Sequence, residues 1–99
     1  RENRAEITRR AAALKEVMAE LPAWRMDAIG AYFAFIRHPF PGVGSAKISE
    51  QLARRTGVVC IPGIYFGAEQ DDYLRFAFAN ADVATIRKLS ERLAGFQLE

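Results

Sequence analysis

Arg75 stands in the middle of Tyr73-Leu74-Arg75-Phe76-Ala77-Phe78-Ala79, a single cation among apolar neighbours. A guanidinium presents a planar fork of donors that matches a carboxylate through two parallel hydrogen bonds, and apolar surroundings strengthen that contact. The small side chains of Ala77 and Ala79 leave room for a ligand's carboxylate. Two readings fit this spacing. Arg75 is either an edge-strand arginine paired with Asp71, Asp72 or Glu69 of the preceding turn, or a receptor for an anion from outside the chain. Just upstream lies a glycine-bracketed aromatic turn, Pro62-Gly63-Ile64-Tyr65-Phe66-Gly67.

Other reactive residue types have weaker surroundings. His38, the sole histidine, lies in a proline loop without a neighbouring acid or nucleophile, as a loop residue with no catalytic duty would. Cys60 sits in the apolar run Val58-Val59-Cys60-Ile61, where nothing lowers a thiol pKa, and reads as a buried small hydrophobe. Tyr32 and Tyr65 could reach a ligand, but aromatic core filling is the simpler role for both. Gly42-Val43-Gly44 lacks the rest of a phosphate-cradling fingerprint.

Composition narrows the classes of function. A net charge of +2 is too small to argue for nucleic acid or an anionic membrane as partner. The first helix carries Arg1, Arg4, Arg9, Arg10 and Lys15, yet Glu2, Glu6, Glu16 and Glu20 interleave with them, which describes a self-paired solvated face. With one cysteine no disulfide framework exists, and a cytoplasmic location is expected. No apolar run approaches the roughly 18–20 residues a membrane helix needs, and no signal peptide is recognisable. Ninety-nine residues suffice for one domain with a modest core. Because the chain opens on Arg1-Glu2-Asn3-Arg4, already in a helical pattern, the function is expected to belong to a longer polypeptide.

The elements that must position Arg75 follow from periodicity. Ile7, Ala11, Leu14, Val17, Met18 and Leu21 recur at helical spacing, giving an amphipathic helix over about 3–21 that Pro22 helps to end. Gly30 precedes an aromatic strand over 31–37, and 38–45 is a loop by its prolines and glycines. Ser45 is placed to cap a helix carrying Ile48, Leu52 and Ala53 on one side, closed by Gly57. Residues 58–61 read as a short buried strand, 67–72 as a polar turn and 73–79 as an alternating strand. Its Leu74, Phe76 and Phe78 share one face, and Tyr73, Arg75 and Ala77 the other. Asn80 is expected to cap a last helix with Val83, Ile86, Leu89 and Leu93 inward and Gly95 near its end.

The resulting order, α-β-α-β-β-α, predicts an α+β fold: a small, largely antiparallel sheet in two layers, with the helices on one face. The opposite face would carry Tyr73, Arg75 and Ala77 beside either Tyr32, Ala34 and Ile36 or Phe33 and Phe35. It is too aromatic for water and yet holds a charge, so a second domain or a ligand is expected to cover it.

Taken in order, these features resemble the small domain of the fold-type-I aminotransferases of class I/II, the aspartate aminotransferase superfamily. The resemblance runs from the long helix through Gly30-Ala31-Tyr32-Phe33, the capped helix, Gly57-Val58-Val59, the Pro62-Gly63-x-x-Phe66-Gly67 turn, the Arg75 strand and the final helix. It implies a C-terminal small domain, with an interdomain helix over 1–21 and an αβ core over 30–99. It further implies that Arg75 binds the α-carboxylate of an amino acid or 2-oxo acid substrate, and that Phe66 lies near the active-site entrance as a second substrate-side residue. The cofactor of such enzymes, pyridoxal 5'-phosphate, would be bound by the missing large domain, and the whole enzyme would be a homodimer. Lys15, Lys47 and Lys88 all fall on polar helix positions outside the family's serine-rich lysine motif, so the chain alone is expected to be inactive and to contain no catalytic residue. One departure stands out: where relatives often carry a second glycine before the arginine strand, this chain reads Ala68-Glu69-Gln70-Asp71-Asp72.

Two other classes also fit the sequence. A stand-alone regulatory domain could use Arg75 to bind an amino acid. An RNA-binding αβ module could stack bases on Tyr32, Phe33 and Phe35 or on Phe76 and Phe78, although the basic-Gly-aromatic pattern of such modules is missing.

Overall fold

The computed structural model describes residues 4–30, 32–78 and 81–98. Helix α1 (Arg4–Ala19) buries Ala13, Leu14, Val17 and Met18. Its charged side pairs Arg9 and Arg10 with Glu6, and Glu16 with Arg87 of the last helix. A hairpin follows, made of β1 (Arg25–Ile29) and β2 (Phe33–Arg37). The Gly30 N–H donates to the Phe33 carbonyl to close it.

Strand β1 is absent from the predicted order, and its burial explains why. Polar and apolar residues alternate only from Arg25 to Ala28 before Ile29 breaks the pattern, no residue of the strand is buried, and the register slips between Met26 and Ala28. It is a bulged edge strand with charges on it, a form that protects a sheet edge and hides the period-2 signal. The observed order is therefore α-β-β-α-β-β-α, with the predicted α+β class and one-sided helix layer intact.

Helix α2 (Ser45–Thr56) ends as expected on Gly57 at φ 77°, a left-handed cap in which its N–H donates to the Ala53 carbonyl. Its start differs. Gly44 is the capping residue, and Ser45 is the first residue of the helix with its hydroxyl turned to Asp71. Ile48 and Leu52 face the core as expected, whereas Ala53 is exposed and Gln51 takes the buried place. The strand expected over 58–61 contracts to β3 (Ile61–Pro62), with exposed Val59 outside it. Two 3-10 turns, Gly63–Phe66 and Ala68–Gln70, lead to β4 (Tyr73–Ala77). Helix α3 (Val83–Ala94) is capped by Asp82, whose carboxylate accepts from the Thr85 N–H at 2.8 Å. The cap expected at Asn80 lies outside the described residues.

The sheet runs β1-β2-β4-β3, antiparallel throughout. Ala34, Ile36, Leu74 and Phe76 point under the helices and join Leu14, Ile48, Leu52, Ile86 and Leu93 in one core. At one end Trp24, Phe40 and Phe96 pack ring to ring, with centroids 5.7–6.3 Å apart.

Candidate functional site

The register decides what shares Arg75's face. Phe33 pairs with Ala77, Phe35 with Arg75 and Arg37 with Tyr73 across β2 and β4, while Ile61 of β3 pairs with Arg75 on the other flank. The Phe33/Phe35 set thus borders the arginine, and Ala34 and Ile36 are buried beneath it. Strand β4 is interior to the sheet, so Arg75 is central and not at an edge.

The acids that the pairing reading offered to Arg75 are committed elsewhere. Asp71 Oδ1 accepts from the Ser45 backbone N–H at 2.9 Å and from its hydroxyl at 2.8 Å. Those bonds hold its carboxyl below the usual carboxylate range. Asp72 lies 3.4 Å from Arg37, and Glu69 folds back over Gly67. Among the described residues Arg75 makes no ion pair and no side-chain hydrogen bond. Its partners are rings instead: the guanidinium carbon lies 4.2 Å from the Phe33 centroid and 4.5 Å from that of Phe66. Nε is buried without a partner, so an anion must be met by the two Nη amino groups, whose in-plane donors are unclaimed.

Phe66 arrives there because of how the turn before β4 is wound. At Gly63 a Cβ would collide with the Gln70 carbonyl oxygen and stand 2.6 Å from that of Tyr73. Gly67 has φ 138° and ψ 151°, backbone that side-chain-bearing residues scarcely adopt. The departure at Ala68 is absorbed without a second glycine. Residues 68–70 close a 3-10 turn through Gln70 N–H to Gly67 O at 3.0 Å, and none of the residues 68–72 takes positive φ. Ser45 locks the assembly from behind, since its hydroxyl donates to Asp71 and accepts from the Ile64 N–H at 3.0 Å. Phe35 then braces Phe66 edge-on, with centroids 6.1 Å apart.

Elsewhere on this side of the sheet Asp27 accepts from Arg25 and from the Tyr73 hydroxyl. Those hydrogen bonds, Arg25's first, hold its pKa at about 2. Sequence reasoning did not single out this group. Only the register, which sets Arg25 opposite Arg37 and Arg37 opposite Tyr73, brings it together.

The remaining candidates fall as follows. His38 is buried, its Nδ1 accepts from the Phe40 N–H at 3.2 Å, and burial lowers its pKa; it fastens the loop to the turn before β4 through its own N–H to Asp72 O. Cys60 is buried and its thiol pushed up to about 11 by burial. Tyr32 and Tyr65 correct the core-filling expectation. They are 45% and 74% exposed, because one sits at the hairpin turn and the other on the outer side of a 3-10 turn. Phe76 and Phe78 are buried against the helices and cannot stack bases. No group of three metal-ligating side chains forms among the described residues, and no helix there is long and apolar enough to cross a membrane.

Residues 1–93 match the profile of the family "Aminotransferase class I and II". The chain belongs to that family. Among solved structures, an aminotransferase-family match is a Methanococcus jannaschii protein described as similar in its active site to kynurenine aminotransferases. It superposes with a TM-score of 0.73 at 26% identity over 91% of this chain and 23% of its own. An aromatic aminotransferase from Pyrococcus horikoshii superposes with a TM-score of 0.69 at 26% identity, over 87% of this chain and 24% of its own. The chain thus spans about a quarter of these aminotransferases' length. No curated protein sequence is significantly similar to it.

Class I and II aminotransferases use pyridoxal phosphate, which requires a lysine amine for its Schiff base and a carboxylate for its ring nitrogen. In this chain Lys15, Lys47 and Lys88 are all exposed on helices. The described residues do not fit that group.

Proposed function

We propose that this chain is the C-terminal small domain of a pyridoxal-phosphate-dependent aminotransferase, with residues 1–21 as interdomain helix and 30–99 as αβ core. In this reading Arg75 holds the α-carboxylate of an amino acid or 2-oxo acid substrate. The observation that carries it is the state of Arg75: a central cation with unclaimed in-plane donors, set among rings, on a face where Arg25 and Arg37 both have carboxylates. A carboxylate bound there completes the donor set that no described acid of the chain completes. The role is positioning, which fixes the substrate against reactive groups supplied by a large domain. That large domain would supply the lysine and the cofactor, the complete enzyme would be a cytoplasmic homodimer, and the chain alone would be inactive. Family membership and the two structural likenesses support the aminotransferase class.

The test is Arg75→Ala in the full-length enzyme. Amino acid binding is expected to weaken by roughly 2–5 kcal/mol, the cost of truncating one partner of a desolvated charge pair. Cofactor content, read from its absorbance, is expected to stay at the wild-type level. Unchanged amino acid kinetics would remove Arg75 from the site.

A further inference from the structure

We infer that Phe33 and Phe66 are positioning residues that act on the substrate through Arg75, as a two-ring clamp in place of an acidic partner. The inference deepens the carboxylate-binding reading above and rests on it.

A flexible arginine must be held if its fork is to be pre-organised for a carboxylate. An acid could hold it, but an acid would occupy the same in-plane donors and cancel the charge that attracts the ligand. Aromatic rings avoid this conflict. They attract the cation through their faces and leave the N–H donors free. Both rings lie within reach of the guanidinium carbon, at 4.2 and 4.5 Å. They come from different elements: Phe33 from β2, on one flank of β4, and Phe66 from the 3-10 turn after β3, on the other. The orphaned Nε deep in the clamp completes the geometry, since it leaves the two Nη groups as the only route for an anion.

Neither ring is a core side chain. Phe33 is 39% and Phe66 41% exposed, while the adjoining core positions Ala34, Leu74 and Phe76 are 5% or less. Both rings stand on the outer face of the sheet beside the cation and contribute nothing to the buried core under the helices. The braces are structural. Phe35 meets Phe66 edge-on, and the glycines at 63 and 67 wind the turn that delivers it.

The experiment is a double-mutant cycle in the full-length enzyme. Phe33→Leu and Phe66→Leu keep an apolar side chain and remove the π face. Each is expected to raise the KM for the amino donor about three- to thirtyfold, the range of one cation–π contact, with a much smaller change in kcat. Phe66→Tyr and Phe33→Tyr, which restore a ring, are expected to restore KM. In the Arg75→Ala background either leucine variant is expected to add less than about twofold, because a clamp without its arginine has nothing to hold. Leucine effects that persist at full size in that background would mean that the rings touch substrate themselves, and would overturn the clamp. So would leucine variants with wild-type KM while Arg75→Ala is impaired. Wild-type KM in Arg75→Ala alone would overturn the carboxylate reading and the clamp with it. If a leucine variant does not fold, Phe→Met at the same position carries the same comparison.

Discussion

Gly63→Ala isolates the turn that delivers Phe66, and its cost can be worked from the structure. The added methyl would overlap the Gln70 carbonyl oxygen and stand 2.6 Å from the Tyr73 carbonyl oxygen, with the Gln70 carbonyl carbon at 3.1 Å. All three atoms are backbone, so no side chain can swing aside. The chain must open between the 63–66 and 68–70 turns, or β3 must lift from β4, where it holds only the Ile61–Arg75 and Pro62–Leu74 pairs. Overpacking of this kind costs about 3 kcal/mol or more.

A control sits elsewhere in the same chain. At Gly42 a Cβ would meet nothing within 4 Å, but φ is +79°. Gly42→Ala therefore tests backbone strain alone, worth about 1–2 kcal/mol. Urea unfolding followed by the fluorescence of Trp24, the chain's only tryptophan and buried against Phe40 and Phe96, reads both variants. At a slope of about 1.5 kcal/mol/M, Gly63→Ala should lower the midpoint by roughly 2 M and Gly42→Ala by under about 1.3 M. A Gly63→Ala midpoint equal to or above that of Gly42→Ala would refute the claim that backbone crowding makes Gly63 obligatory.

Further outcomes follow from single contacts. Ser45→Ala removes the hydroxyl that joins Asp71 to the Ile64 N–H, and should destabilise the chain by about 1–3 kcal/mol in the same urea assay. Asp27 is held at about 2 in the fold, below the ordinary carboxylate value of 3.8. Its contribution is therefore full above about pH 4 and lost as pH falls through about 2. The fall in urea midpoint between pH 7 and pH 2 should accordingly be smaller in Asp27→Asn than in wild type. Cys60, buried with its thiol raised to about 11, should react with a thiol reagent at pH 8 far more slowly in the native chain than in urea.

Arg75 and Phe66 stood out in the sequence as candidates, while their surroundings did not. Helices α2 and α3 carry sharp apolar stripes, and α1 a repeating Leu14-Val17-Met18-Leu21 set, so their existence followed from periodicity alone. Strand β4 did too, because Leu74 and Phe76 alternate strictly with Tyr73 and Arg75. Strand β1 alternates only from Arg25 to Ala28, and its bulge and edge position leave none of its residues buried, so the signal is too short to read. The exposure of Tyr65 was invisible for a different reason: a 3-10 turn has no apolar period from which a side can be read. The capping role assigned to Ser45 failed through competition. Its hydroxyl is drawn to Asp71, 26 residues away, and no local rule can anticipate a partner at that separation.

The same limit bears on Arg75. Local spacing puts Asp72, Asp71 and Glu69 three to six residues before it, which makes an ion pair the simplest expectation. The fold disperses those acids before they can reach it. Asp71 is drawn to the start of α2, Asp72 to Arg37, and Glu69 to the turn itself. Each of these moves serves a local structure, the helix start or the 3-10 turn. Together they leave one central cation without an acid among the described residues. A folded chain that leaves a charge half-buried forgoes about 1 kcal/mol or more of available pairing. The aromatic contacts of Phe33 and Phe66 recover part of that while keeping the donors open. Stability alone would favour moving an acid to Arg75, as the chain has done for Arg25 and Arg37. That no described acid does so at the centre of the sheet agrees with the carboxylate-binding role proposed for Arg75.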